Sequence, residues 1–91
     1  MRSLRWEAEA SRQFQDALTY IAAQSPAAAE SLADEIAEKL ELVMQFPNLG
    51  RKGRVEGSRE LVVHPNFLVI YTVHAKSIDV IRFLHARQLY P

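Results

Sequence analysis

Ninety-one residues make about one domain at the usual ~100–200 residues each, and eleven Lys+Arg balance eleven Asp+Glu. A hydrophobic share of 48% with 24% charged residues excludes a disordered tail and a collagen-like or low-complexity chain. The lack of cysteine excludes a disulfide framework, a thiolate zinc site and a Cys nucleophile.

No apolar run approaches the ~18 residues of a membrane span. Met-Arg-Ser-Leu-Arg-Trp-Glu lacks the apolar stretch of a signal peptide. A cytoplasmic protein with one domain over residues 1–91 is expected. A chain of this length buries only about 60–65% of its unfolded surface, so dependence on a partner is expected too.

Ser3 to Trp6 reads as a brief first strand with Leu4 and Trp6 on one side. From Glu7 the rhythm becomes helical, with Ala10, Phe14, Ala17, Leu18 and Ile21 on one stripe. Ser25 is placed to cap a second helix and Pro26 to open it. That helix carries Ala29, Leu32, Ala33, Ile36, Leu40, Val43 and Met44, and Phe46-Pro47 ends it. The break between the helices is short, which predicts an antiparallel hairpin.

Leu49 to Ser58 holds all three glycines and three basic residues without apolar periodicity, the pattern of an exposed loop. Arg59–His64, Phe67–His74 and Ile78–His85 then read as three strands joined by tight connections. The predicted fold is α+β in the order β-α-α-β-β-β, with an antiparallel sheet packed on the helical hairpin. The middle strand is apolar on both alternating sets, so the sheet face turned from the helices carries an apolar patch. Either a partner chain covers that patch or the sheet curls over it.

Charge is distributed unevenly. Four basic residues stand against eight acidic ones from Met1 to Asn48, and seven against three from Leu49 to Pro91. Such a split suits a basic surface that meets an anion, and it also follows simply from helices carrying more Glu than strands. Gly50-Arg51-Lys52-Gly53-Arg54 has the composition of a phosphate cradle without the spacing of a P-loop. His64, His74 and His85 include no pair at i, i+2 or i, i+4, so no metal site is expected. His85, with Arg87 close behind, has the chemistry of an acid/base and phosphate-stabilising pair, or of a hydrogen-bonded strand end. The acidic residues Glu30, Asp34, Glu38 and Glu41 read as a solvated helix face.

Several segments taken together resemble the RelE/ParE superfamily, the toxins of type II toxin–antitoxin modules. They are Trp6-Glu7, the helical hairpin, Phe46-Pro47-Asn48-Leu49-Gly50-Arg51, Gly57-Ser58-Arg59-Glu60-Leu61-Val62-Val63, Val69-Ile70-Tyr71, and Val80 through Gln88. The resemblance implies a sheet packed on two helices and a cognate antitoxin that wraps and neutralises the toxin in a hetero-oligomer. RelE-like members cut mRNA on the ribosome with a basic, polar cluster on the open sheet face, whereas ParE-like members poison DNA gyrase without it.

Here Arg59 and Arg87 match that cluster, but Leu61 and Leu68 stand where further basic residues are placed. Leucine offers neither an acid, a base nor a cation to a cleaving phosphodiester. The resemblance therefore implies the ParE-like branch, acting by binding, with no cofactor and no membrane. Arg51, Arg54, Arg59, Leu68, Ile70 and Arg87 are the expected contacts to antitoxin or target. The alternatives are a ribosome-dependent endoribonuclease using Arg59, His85, Arg87 and Tyr90, and an inactive relative that only binds antitoxin.

Overall fold

In the computed structural model, which describes residues 2–87, the first strand, β1 (Ser3–Trp6), leads into α1 (Ala8–Gln24). Its inward stripe is short: Ala10 is fully buried, while Phe14, Ala17, Leu18 and Ile21 are partly buried against the core. The second helix, α2 (Pro26–Gln45), starts as its sequence dictates. Ser25 Oγ accepts the Ala28 N–H at 3.2 Å, and Pro26 occupies the first turn, where no amide is needed. Ala29, Leu32, Ile36, Leu40 and Val43 recur at helical spacing and are buried. The helix closes at Phe46, whose N–H reaches Leu42 O; Pro47 follows and cannot continue the ladder.

The remaining strands are β2 (Arg51–Lys52), β3 (Ser58–His64), β4 (Phe67–Val73) and β5 (Ser77–His85). All five form one sheet in the order β1-β5-β4-β3-β2. The three long strands follow the expected consecutive hairpins. Two features depart from expectation and share one cause. The segment read as loop contains β2, which pairs antiparallel with β3 through Arg51↔Glu60 and Lys52↔Arg59. That extra reversal turns β3 and β5 to the direction of β1, so β1 pairs with β5 in parallel. The sheet is thus mixed rather than wholly antiparallel. Gly57, at φ 83°, makes the tight turn between β2 and β3.

Residues alternate between the two faces. Leu61, Val63, Val69, Tyr71, Ile78, Val80 and Phe83 join the helices in the main core. Leu68, Ile70, Ile81 and Leu84 form a second, smaller cluster. In β5 the register slips between Ile70↔Arg82 and Tyr71↔Val80, leaving Ile81 as an extra residue that resets the alternation. The Phe83 N–H is then taken by Gln13 Oε1 of α1 at 2.9 Å. Aromatic rings knit the layers: Trp6 stacks on Phe14 at 5.0 Å, Phe14 meets Phe83 at 5.1 Å, and Phe83 stacks on Phe67 at 5.1 Å.

Ile36 sits at the centre of the α2 stripe and is almost fully enclosed. Ile36→Ala is expected to cost about 2–5 kcal/mol, read as a lower urea midpoint at unchanged slope.

Candidate functional site

The loop after α2 is held from both sides. Tyr71 rises through the core from β4, fully buried. Its hydroxyl accepts the Gly50 N–H at 2.8 Å and donates to Pro47 O at 2.8 Å. Arg59 donates to Gly50 O at 2.7 Å and to Asn48 O at 3.5 Å. The Leu49 N–H closes the turn onto Phe46 O at 2.9 Å. A β-carbon at position 50 would lie 2.8 Å from the Tyr71 hydroxyl and 2.9 Å from Glu60 O, so this close approach demands glycine. Burial raises the Tyr71 pKa above the ordinary phenol value, opposed by the Gly50 hydrogen bond and nearby Arg59.

Beyond this knot, Phe46 is 59% exposed, and Leu42 and Leu49 are exposed with it.

The sheet face away from the helices carries a different cluster. Register places Glu60, Ile70 and Arg82 in one row and Val62, Leu68 and Leu84 in the next. Ile70 is 0% exposed, and Leu68 and Leu84 are buried beside it, whereas Val62 in the same row is 54% exposed, so the apolar patch is sheltered within the chain except at Val62. The Glu60 side chain is only 3% exposed. It accepts Arg51 Nη2 at 3.3 Å, Arg54 N at 3.1 Å and Arg54 Nε at 3.4 Å. Two of the expected contact arginines are thus engaged with a buried carboxylate, which pins β2 and its turn to the sheet.

Of the residues named for a nuclease site, Arg59 stands apart from His85 and Arg87. Arg59 pairs in register with Tyr71 and faces the helix side, clamping loop carbonyls. His85 pairs with Phe67 and stands edge-on to its ring at 5.5 Å. Four residues of β4 separate those rows, about 13 Å at ~3.3 Å per residue. His85 Nδ1 accepts the Arg87 N–H at 3.2 Å, and Arg87 is exposed in the turn after β5. Tyr90 lies outside the described residues. Leu61 faces the helices, so of the two leucines set against the RelE-like basic positions only Leu68 lies on the open face. Among the described residues, no group of three or more His, Asp or Glu could hold a metal ion.

A fourth surface escaped the sequence reading. Between the free edge of β1 and α2 runs an open, mainly apolar groove of about 650 Å³, with Leu4, Trp6, Phe14, Ile36, Leu40 and Met44 among its walls. Its one sequence signal is that the short first strand puts Leu4 and Trp6 on the same side as the helix stripe. Among the described residues, no helix is long and apolar enough to cross a membrane.

A helical hairpin on one face of a five-stranded mixed sheet is the architecture of the RelE/ParE superfamily toxins of type II toxin–antitoxin systems, and this chain is one of them. Residues 4–90 match the family described as the ParE toxin of the type II toxin-antitoxin system, parDE, and the chain belongs to that family.

It is similar to the protein Y4kP of Sinorhizobium fredii, with 26% identity over 99% of this chain and 94% of that one. Among solved structures it is similar to one of the chromosomal ParDE system from P. aeruginosa, with TM-score 0.79 and 26% identity over 93% of this chain and 96% of that one. The fold is shared with the YoeB dimer from Staphylococcus aureus, at TM-score 0.65 and 14% identity over 89% and 92% of the two chains. It is shared as well with a chain of the E. coli DinJ–YafQ complex, at TM-score 0.62 and 14% identity over all of both.

Tyr71→Phe leaves the buried Gly50 N–H without its acceptor, an expected loss of about 1–3 kcal/mol, with faster amide exchange confined to residues 46–50. The raised phenol pKa adds a pH signature. Its contribution is complete below the unfolded tyrosine value of ~10 and is lost as pH climbs through the higher folded value. Between those two values, urea midpoints should therefore fall more steeply with pH in the wild type than in Tyr71→Phe.

Proposed function

We propose that this toxin acts in the ParE manner, binding DNA gyrase in the cytoplasm and performing no chemistry of its own. The observation that carries the reading is the division of the sheet. The face a RelE-like nuclease would use has an aliphatic centre at Leu68, Ile70 and Leu84. Of the groups that could serve cleavage, His85 lies beside Arg87 at the end of β5, while Arg59 belongs to a row four residues further along β4. Metal-free cleavage of RNA needs a base for the 2′-hydroxyl, an acid for the leaving oxygen and a cation for the phosphorane, all within hydrogen-bond reach of one phosphate. That constellation is not assembled among the described residues. The match to the ParE family and the similarity to the P. aeruginosa ParDE structure support the same branch.

A cognate antitoxin completes the proposal, as the DinJ–YafQ and ParDE relatives are toxin–antitoxin assemblies. The β1–α2 groove suits its toxin-binding segment better than the open sheet face, because Leu68 and Ile70 have no surface left to offer. Leu4 and Met44 line that groove, with Leu4 exposed.

Purified toxin is expected to block gyrase supercoiling or trap cleaved DNA while leaving ribosome-bound mRNA intact. Unaffected supercoiling at saturating toxin rejects the reading, and new mRNA ends that vanish in Arg87→Ala replace it with the nuclease. Leu4→Glu with Met44→Glu should weaken the antitoxin complex in a co-purification titration, leaving the supercoiling block in place.

A further inference from the structure

We propose that Leu42, Phe46 and Leu49 form a preorganised knob that docks an acidic segment of the toxin's protein target. The proposal rests on the reading above that the chain acts by gripping a protein, and it names where. Leu42 and Phe46 stand one helical turn apart at the end of α2. The Leu49 N–H bonds back to Phe46 O, which brings the third side chain to the same corner. All three are exposed large hydrophobics, Phe46 the most of them.

Exposure alone would mean little, since single apolar residues on a surface are ordinary. Here the backbone beneath them is fixed by a fully buried phenol and an arginine. Tyr71 bonds Gly50 and Pro47, and Arg59 bonds Gly50 and Asn48. A rigid aromatic and two leucines held outward lose little freedom on contact, which is the condition for an energetic anchor.

The charge beside the knob selects its partner. Arg59 lies on the knob's flank, bonded to the loop carbonyls. Lys52, its register neighbour on β2, is exposed on the same side of the sheet. Two cations next to an apolar knob fit a carboxylate-bearing segment that also offers an apolar pocket. A nucleic acid fits less well: two of the three anchors are aliphatic and cannot stack as an aromatic does. The α2 groove at Leu4 and Met44 is a separate surface, so target and antitoxin contacts can be separated by mutation.

The test uses the full toxin with Phe46→Glu/Leu49→Glu, the milder Phe46→Ala/Leu49→Ala, and Lys52→Glu. All three are compared with wild type for urea midpoint, antitoxin co-purification, growth arrest on induction, and binding to purified gyrase holoenzyme by interferometry. Both double variants are expected to keep the fold and the antitoxin. They should bind gyrase at least about thirtyfold more weakly, as removal of a hot spot does, and fail to arrest growth. Lys52→Glu should weaken binding less, with a loss that shrinks at high salt.

Double variants that stay folded and arrest growth like wild type overturn the proposal. So does a loss that tracks binding to single-stranded RNA instead of protein. If wild type arrests growth without binding gyrase while the folded, antitoxin-competent doubles do not arrest, the knob stands and gyrase falls. A wild-type chain that neither arrests growth nor binds gyrase removes both.

Discussion

One phenol oxygen joins the interior of this toxin to its most conspicuous sequence element. Tyr71 fills the core with its ring and meets the loop after α2 with its hydroxyl, satisfying one amide and one carbonyl that have left the helix. A helix end must place its orphaned backbone groups somewhere, and here the place is the middle strand of the sheet. Opening the loop therefore means breaking hydrogen bonds to a residue that the whole core holds still. The loop inherits the stability of the sheet rather than that of an ordinary surface connection. Gly50 follows from the same contact, since a side chain there would strike the oxygen. Arg59 braces the other flank.

The topology follows from what comes directly after. The knot delivers the chain to β2, whose two residues are long enough for two register pairs with β3. Glu60 then fastens that short strand by drawing Arg51 and Arg54 onto a buried carboxylate. A buried charge left alone would be costly, and one paired on two sides is tolerable. With β2 in place the remaining strands alternate so that β5 runs alongside β1, and the first four residues of sheet close over the same helices as the last nine. The aromatic series from Trp6 to Phe67 runs across this seam.

Much of this was legible in the chain because it obeys local rules. Ser25-Pro26 and Phe46-Pro47 mark the ends of α2 by capping chemistry and by the proline constraint. Dense β-branched and aromatic residues between short turns mark three strands. What could not be read is whatever depends on a distant partner. A two-residue strand has no periodicity, so β2 passed as loop, and with it went the reversal that makes β1 parallel to β5. That Arg59 braces the loop could not be read, because its acceptors, two backbone carbonyls, leave no trace in side-chain identity. Arg51 and Arg54 looked available for the same reason: their partner Glu60 is one acidic residue among several, and only register brings it under them. The two-sided apolar pattern of β4 was read correctly as a second apolar face, but composition could not tell whether a partner or the chain itself would cover it.

That second face bears on what the open side of the sheet can offer a ligand. Function resides in sites grafted on a scaffold, and the scaffold constrains them only where they share residues with the core. In a chain of 91 residues without a cross-link, stability is scarce. Enclosing an aliphatic side chain contributes about 1.5–3 kcal/mol, against a net stability of only about 5–15 kcal/mol for a typical domain. Leu68, Ile70 and Leu84 are all enclosed on the open side. Seating a phosphate among these three side chains would require prising the leucines apart and desolvating charge beside them. With these three side chains enclosed, the exposed apolar side chains Leu4, Phe46 and Leu49 lie at the helix groove and the loop corner.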